Sequence, residues 1–405
     1  MIAEPSTAGT LSRGHITYFP VIPGRLESAA RVRRYLLENR PQVVAVELPS
    51  SLEREYTRAL DRMPKLSVIV IPEPGGDEER ATYIPVEPGD PFVEAMRTAR
   101  EIAAEVLMLE PATADKPHLS DLYAEPYSLE LIGMERYVDA YRFHPRPRTP
   151  EIEQHAAAMA WKLQGADPLA PMLVVVSLNL LDVLLEAMEV PQEEPALPRT
   201  RLFKYAELFN LHPDCLAEVT SEPPYYQELY EETRREPAAS VVIDRPRWQL
   251  ALLRDAQREY EINTGEKVAS WQRRSLAKFT RNLAMLDGRL LPGLYDLALG
   301  ARSVIDDNYA WEVWQMGNRF SVQQTEDPPL ETLNLSGEDV WIRTRKIRIR
   351  RRLPRMKQML KPAGLKPRQR ESVKGEWARQ TNGASICSYP PEDLVIEDYG
   401  RFLKR

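Results

Sequence analysis

The sequence predicts an α/β protein in which a doubly wound, mostly parallel sheet is followed by an all-α domain and a basic β/coil segment. Three observations carry this. Between Ile16 and Val190, short apolar runs alternate with segments of helical period, the pattern of strands joined by crossover helices. Beyond residue 245 the period is helical only. From Val340 onward, apolar residues alternate with arginines. The expected domains are 14–190 (α/β), 191–245 (proline-rich linker and short helices), 246–330 (helical) and 331–405 (basic strand or coil ending in a helix). A chain of 405 residues is long for one core, and 43% hydrophobic content is that of a folded protein.

Residues 16–22 read as a strand turned by Pro23-Gly24, and Ser28 as the cap of a helix carrying Ala29, Val32, Leu36 and Leu37. Residues 43–48 and 66–71 are continuous apolar runs, expected of strands buried on both faces of a parallel sheet. Ser50 and Glu53 form a capping-box pattern between them. Residues 83–86 contain Pro85 and read as an edge strand or extended loop. Asp90 caps a helix with Pro91 at its first position, and Thr149-Pro150 opens another. Strands at 105–109 and 172–176 complete the sheet, with a proline-rich insertion at 111–148 between them.

Farther along, Trp248, Leu252, Ala256 and Tyr260 make one helical stripe before Gly265. Leu276, Phe279, Leu283 and Leu286 make a second before Gly288, and a third helix is predicted from Pro292 to about Met316. Asp306-Asp307-Asn308 on that helix do not converge as metal ligands, and Arg302 with Asp306 forms an i, i+4 pair. The alternation around Val340, Ile342, Ile347 and Ile349 shifts at Arg345-Lys346, which reads as a bulge in a basic strand. Residues 390–405 read as a helix with no stop signal, as expected of a chain that continues into a further domain.

Net charge is −6, yet residues 341–379 hold 15 Lys and Arg against 2 Asp and Glu, a local +13 that leaves −19 elsewhere. Cys215 and Cys387 have no metal-site or disulfide-framework spacing. The N-terminus has no basic stretch leading into an apolar one, and the longest apolar run, 172–188, is broken by Asn179, Asp182 and Glu186. A cytoplasmic protein with no membrane partner is expected. Gly75-Gly76-Asp77 lacks the Lys-Ser/Thr of a phosphate loop, and no dinucleotide fingerprint follows any strand.

In a doubly wound sheet, ligands collect at the carboxyl ends of the strands. Those ends carry Arg25, Glu47, Glu110, Ser177 and Asn179. Glu47 lies near the end of an apolar strand, where an unpartnered carboxylate is costly. Its expected partner is Arg25, or else a metal ion. His118, His144, His155 and His212 read as surface or capping groups, although His144, with Arg146 and Arg148, can reach over this edge if the insertion forms a lid.

Residues 27–48, ending Arg40-Pro41-Gln42-Val43-Val44-Ala45-Val46-Glu47-Leu48, resemble the opening helix and strand of the TraB family. That family belongs to the TraB/Tiki/ChaN-like (erythromycin esterase-type) superfamily. Residues 156–160 and 174–176 are similar to its closing helix and strand, so the likeness covers 15–190. The resemblance implies a fold shared by metalloproteases, esterase-type hydrolases and a haem-binding protein. It also implies chemistry resting on a histidine after the first strand, a glutamate after the second and Gly-x-x-His after the last. Only Glu47 carries over. Ile22-Pro23-Gly24-Arg25 stands at the first position, Ser177-Leu178-Asn179-Leu180 at the last, and His15 precedes the first strand.

With two ligands gone, a zinc or manganese site would be weak. The expectation is a degenerate member acting as a binding or scaffold component, without a resident cofactor and with another protein or nucleic acid as partner. Arg25 and Glu47 then form a structural or ligand-holding pair, with Glu110, Ser177 and Asn179 lining the pocket. The alternative is a hydrolase using Glu47 as general base, or as ligand to a divalent metal with a histidine from the insertion. A third reading assigns nucleic acid or an acidic protein surface to Arg343, Arg345, Lys346, Arg348, Arg350, Arg351 and Arg352 within 341–379. Trp341 and Trp377 flank that ridge but are too few to establish base stacking.

Overall fold

The structure is a computed structural model that describes residues 11–73, 80–111, 123–143, 148–194, 202–236 and 243–335, with the backbone of strands at 339–342 and 345–351. Gly75-Gly76-Asp77, His118, His144, Arg146, Arg343, Arg352, Trp377, Cys387 and the 390–405 segment lie outside the described residues. Among those described, residues up to Ile243 and from Arg319 onward make one compact unit, and Asp244–Asn318 make a second.

The first unit runs β1 (Leu11–Arg13), β2 (Ile16–Val21), α1 (Leu26–Asn39), β3 (Val43–Pro49), α2 (Glu53–Leu60), β4 (Ser67–Glu73), β5 (Arg80–Val86), α3 (Pro91–Glu101) and β6 (Glu105–Glu110). It continues through α4 (Ser128–Ile132), α5 (Met134–Arg142), α6 (Pro150–Gln164), β7 (Met172–Ser177), α7 (Leu181–Ala187), β8 (Glu207–Leu211), α8 (Leu216–Val219) and α9 (Pro224–Arg234). The second unit holds α10 (Arg245–Thr264), α11 (Ser270–Leu286), α12 (Leu294–Val304) and α13 (Asp307–Gly317). The chain then rejoins the first unit as β9 (Thr332–Leu333), β10 (Asp339–Ile342) and β11 (Arg345–Arg351).

The first sheet has the order β1-β2-β7-β3-β6, with β2, β7, β3 and β6 parallel and β1 antiparallel at one edge. Every residue of β3 and β7 is buried, which explains why both are apolar nearly throughout. Helix α1 packs on α3 and α6 packs on α7, while α3 and α6 both meet β6.

The sequence predicts one sheet, and the structure corrects this to two. The 66–71 run enters a second, mixed sheet of order β10-β11-β5-β4-β8-β9, where β4 is antiparallel to both β5 and β8. The run is buried on both faces, as its composition demands. Ile69 and Ile71 join the main core, and Val68 and Val70 join a second core with Phe209, Leu211, Leu216 and Leu333. Strand β5 is interior rather than an edge. β11 pairs with it only from Arg80 to Tyr83, so Pro85 needs no donor on that side. The edge strands β9 and β10 approach each other, so this sheet curls toward closure. The span 191–245, expected as a proline-rich linker with short helices, supplies strand β8 and helices α8 and α9 to this unit.

Local signals hold unevenly. The Asp90 carboxylate accepts from Phe92 N at 2.7 Å and Val93 N at 3.1 Å, and Thr149 Oγ1 accepts from Ile152 N at 3.4 Å, so both N-caps stand. Ser28 is not a cap. α1 begins at Leu26, and Ser28 Oγ instead accepts the Ile22 N–H at 3.0 Å, tying down the end of β2. The helix expected across 292–316 is two helices. Asp306 caps α13 through Tyr309 N at 2.8 Å, and Arg302 pairs with Asp307, not Asp306, at 2.8 Å. The stripe Trp248, Leu252, Ala256 and Tyr260 is buried as expected, but on α11 the buried positions are Leu276, Thr280 and Ala284. The basic alternation is an antiparallel pair, β10 with β11, in place of one bulged strand. Among the described residues, no helix is long and apolar enough to cross a membrane.

A buried ionic network joins α1, α3 and α9. Arg33 donates to Glu101 at 2.7 Å, Arg234 binds Glu94 at 3.0 Å and also Glu101, and Thr98 Oγ1 donates to Glu94 at 2.6 Å. Burial alone would raise the Glu101 carboxyl, but hydrogen bonds and charge from Arg33 and Arg234 outweigh it and hold it below the usual carboxylate range. Its folded pKa is therefore depressed, and the stability it contributes is complete above the unfolded value and lost as pH falls through the folded one. Denaturant titrations from about pH 5 to about pH 3 should show the parent losing more unfolding free energy than Glu101→Gln. Parallel losses would refute this assignment.

Candidate functional site

Strand order lines up the carboxyl ends of β2, β7, β3 and β6, and with them Arg25, Ser177 with Asn179, Glu47 and Glu110. All five expected site positions thus share one edge of the first sheet. β7 returns late in the chain to lie between β2 and β3, which sets Ser177 beside Glu47.

The Glu47 side chain is buried, with the residue only 1% exposed. Its Oε2 accepts from Ser177 N at 2.7 Å and from Ser177 Oγ at 2.6 Å. Two short bonds to one carboxylate oxygen offset much of its desolvation cost. The partner expected of Arg25 was Glu47; the guanidinium reaches Glu222 at 3.3 Å, on the segment before α9. In the same turn Gly24 has φ +64°, and a Cβ there would lie 2.6 Å from Ser221 Oγ. Ser221 N in turn donates to both oxygens of buried Glu87, which Gln227 Nε2 also meets at 2.6 Å. Residues 221–227 therefore pack directly against the end of β2.

Glu110, at the end of β6, faces His155 of α6 across 3.9 Å, and both side chains are 3% exposed. That separation is too long for a hydrogen bond. His155 is thus a core residue and not the surface or capping group its position suggests. His212 does cap, its Nδ1 accepting from Asp214 N at 3.2 Å. His15 precedes β2 as expected, at the amino end of the sheet, where its carbonyl accepts from Met172 N. Sequence reading missed Lys162, whose Nζ binds Ser50 Oγ, Met108 O and Glu110 O at 3.1–3.2 Å. Burial pulls the Lys162 ammonium below the usual lysine value, against the opposing pull of Glu110. Ser50 is consequently a lysine acceptor, not the helix cap its capping-box pattern suggests. Glu87, Ser221, Glu222 and Gln227 were also missed, since their convergence depends on contacts across more than a hundred residues.

The insertion between β6 and β7 also meets this edge. Arg31 of α1 holds Glu130 and the Leu129 carbonyl of α4, each at 3.0 Å, and Arg142 of α5 holds Asp182 of α7 at 2.7 Å. Arg148 pairs with Glu186 of α7. Leu129, Met134, Tyr137, Val138 and Tyr141 join the main core, so α4 and α5 are anchored rather than loosely laid on. Burial raises the Tyr137 phenol, with the nearby Arg25 charge acting the other way.

Among the described residues, no three His, Cys, Asp or Glu side chains gather closely enough to hold a metal ion. The residues present do not fit the zinc or manganese that the family resemblance implies, because Glu47 Oε2 is taken up by Ser177 and neither Ile22-Pro23-Gly24-Arg25 nor Ser177-Leu178-Asn179-Leu180 supplies a histidine. Of the basic ridge, Arg345, Lys346, Arg348, Arg350 and Arg351 fall in β11, parallel to β5. No family model matches this chain, and neither a curated protein nor a solved structure matches it.

Ser177→Ala removes one donor from a buried carboxylate and should cost about 1–3 kcal/mol in denaturant unfolding; a change within error would contradict the pairing. Gly24→Ala adds left-handed strain of roughly 1–2 kcal/mol and a clash with Ser221. The double variant Gly24→Ala/Ser221→Gly should relieve the clash and keep the backbone strain, read from the same unfolding curves.

Proposed function

We propose that residues 14–190, within the first unit, form a degenerate, doubly wound TraB-like domain that acts by binding, as a scaffold component of a larger assembly, and not by metal-dependent hydrolysis. The observation that carries this reading is the Glu47 carboxylate. It is sealed from solvent and engaged twice by Ser177, on the strand where the resemblance calls for the last histidine motif. A general base or metal ligand must present a lone pair to water, substrate or metal, whereas Glu47 Oε2 is turned to Ser177 of its own sheet. The packing of 221–227 and of α4 and α5 around the same edge supports the reading, because both stabilise the closed end of the sheet. The partner in this reading is another protein or a nucleic acid.

The hydrolase reading keeps one observation in its favour, the buried Glu110–His155 approach beside Lys162. Metal analysis separates the two. Purified protein dialysed against zinc and manganese should retain neither stoichiometrically, and Glu47→Gln and Glu110→Gln should match the parent. One equivalent of metal, lost in either variant, would overturn the binding-domain reading.

A further inference from the structure

Helix α11 carries Arg273, Arg274, Lys278 and Arg281 and no Asp or Glu, in a chain whose net charge is −6. Its inward face is Leu276, Thr280 and Ala284. Opposite these, Trp271, Arg274, Lys278 and Arg281 follow i, i+3, i+7 and i+10 spacing and are all exposed, so they form one stripe along the helix. Among the described residues, Arg274, Lys278 and Arg281 have neither an ion pair nor a side-chain hydrogen bond. Elsewhere in the same unit Arg258, Arg289 and Arg302 each hold an aspartate. Three aligned cations without counterions are an electrostatic cost that an anionic partner would relieve.

The spacing and chemistry of the stripe favour one kind of anion. At a rise of 1.5 Å per residue, Arg274 to Lys278 to Arg281 spans about 10 Å, and phosphates of a duplex strand recur at about 3.4 Å along its axis. That span covers about three phosphate intervals, so each of the three cations, roughly 6 and 4.5 Å apart along the helix, can lie near a phosphate of one strand. Trp271, 59% exposed at the start of the stripe, offers a ring on which a base can stack. A bilayer fits less well. The apolar stripe of α11 is turned into the helical unit, and the exposed positions between Trp271 and Met285 are Arg273, Arg274, Ser275, Ala277, Lys278, Arg281 and Asn282. We propose that this face of α11 binds the phosphate backbone of a nucleic-acid strand, independently of the basic segment at 341–379.

The test uses the full chain and a fluorescein-labelled oligothymidylate, with anisotropy measured across a salt series. The parent should bind at low salt, with Trp271 fluorescence quenched. The triple variant Arg274→Gln/Lys278→Gln/Arg281→Gln should bind on the order of tenfold or more weaker. Its log–log salt slope should be shallower by about 2, at roughly 0.7 for each phosphate no longer neutralised. Arg274→Lys/Arg281→Lys should keep the parent slope. Unchanged circular dichroism and melting would show that the triple variant is folded, as expected for exposed side chains without partners. Any of three results overturns the proposal: no binding at low salt, a triple variant with the parent's affinity and slope (binding through another surface), or binding confined to phosphatidylserine vesicles.

Discussion

Both faces of β4 are buried, Ile69 and Ile71 in the main core and Val68 and Val70 in the second, so one strand serves as a wall of two compartments. Such a strand tolerates no polar side chain on either face without a partner. It also commits the chain to covering it twice, once by the helices and first sheet and once by the rest of its own sheet. Neighbouring strands share the duty. β5 sends Ile84 and Val86 to the main core and Ala81 to the second, and β8 divides Leu208 from Phe209 and Leu211 in the same way. The first unit is thus bound together by strands with two apolar faces, and the carboxyl edge where chemistry was expected is built against that frame.

Much of this was legible from residue patterns. Every strand of the first sheet except short β1 coincides with an apolar run, and the caps at Asp90 and Thr149 are where Pro91 and Pro150 place them. The 66–71 run correctly implied burial on both faces. It could not say which sheet did the burying, because a continuous apolar run reads alike in a parallel sheet and in a wall between two cores. Ser28 and Ser50 mimic caps in sequence, but their hydroxyls are claimed by Ile22 N–H and Lys162, groups whose proximity is purely tertiary. On α11 the inward stripe is Leu276, Thr280 and Ala284. Gly300 of α12 sits so close to Thr280 that a Cβ there would fall 2.4 Å from Thr280 Cγ2, a close helix approach that the spacing of large apolar residues on α11 does not announce.

The candidate site was legible as a place, not as a set of bonds. Strand ends put Arg25, Glu47, Glu110, Ser177 and Asn179 on one edge, and that required only the alternation of strands and helices. The bonds themselves follow from the order of strands, above all from β7 entering between β2 and β3. Position in the sheet turned a serine that looked like a remnant of a lost motif into the group that satisfies Glu47. Likewise a histidine among alanines became a buried neighbour of Glu110.

The curled second sheet draws its strands from far apart: β4 and β5 before residue 87, β8 after residue 206, and β9 to β11 only after residue 331. The helices α10 to α13 all precede the last three of these strands in sequence. During synthesis, at roughly 5–20 residues per second, β5 waits with an unpaired backbone edge until Arg345 begins β11, and β8 until Thr332 begins β9. Open edges of this kind invite pairing with other chains. The nascent protein is exposed to mispairing for longest at this second sheet.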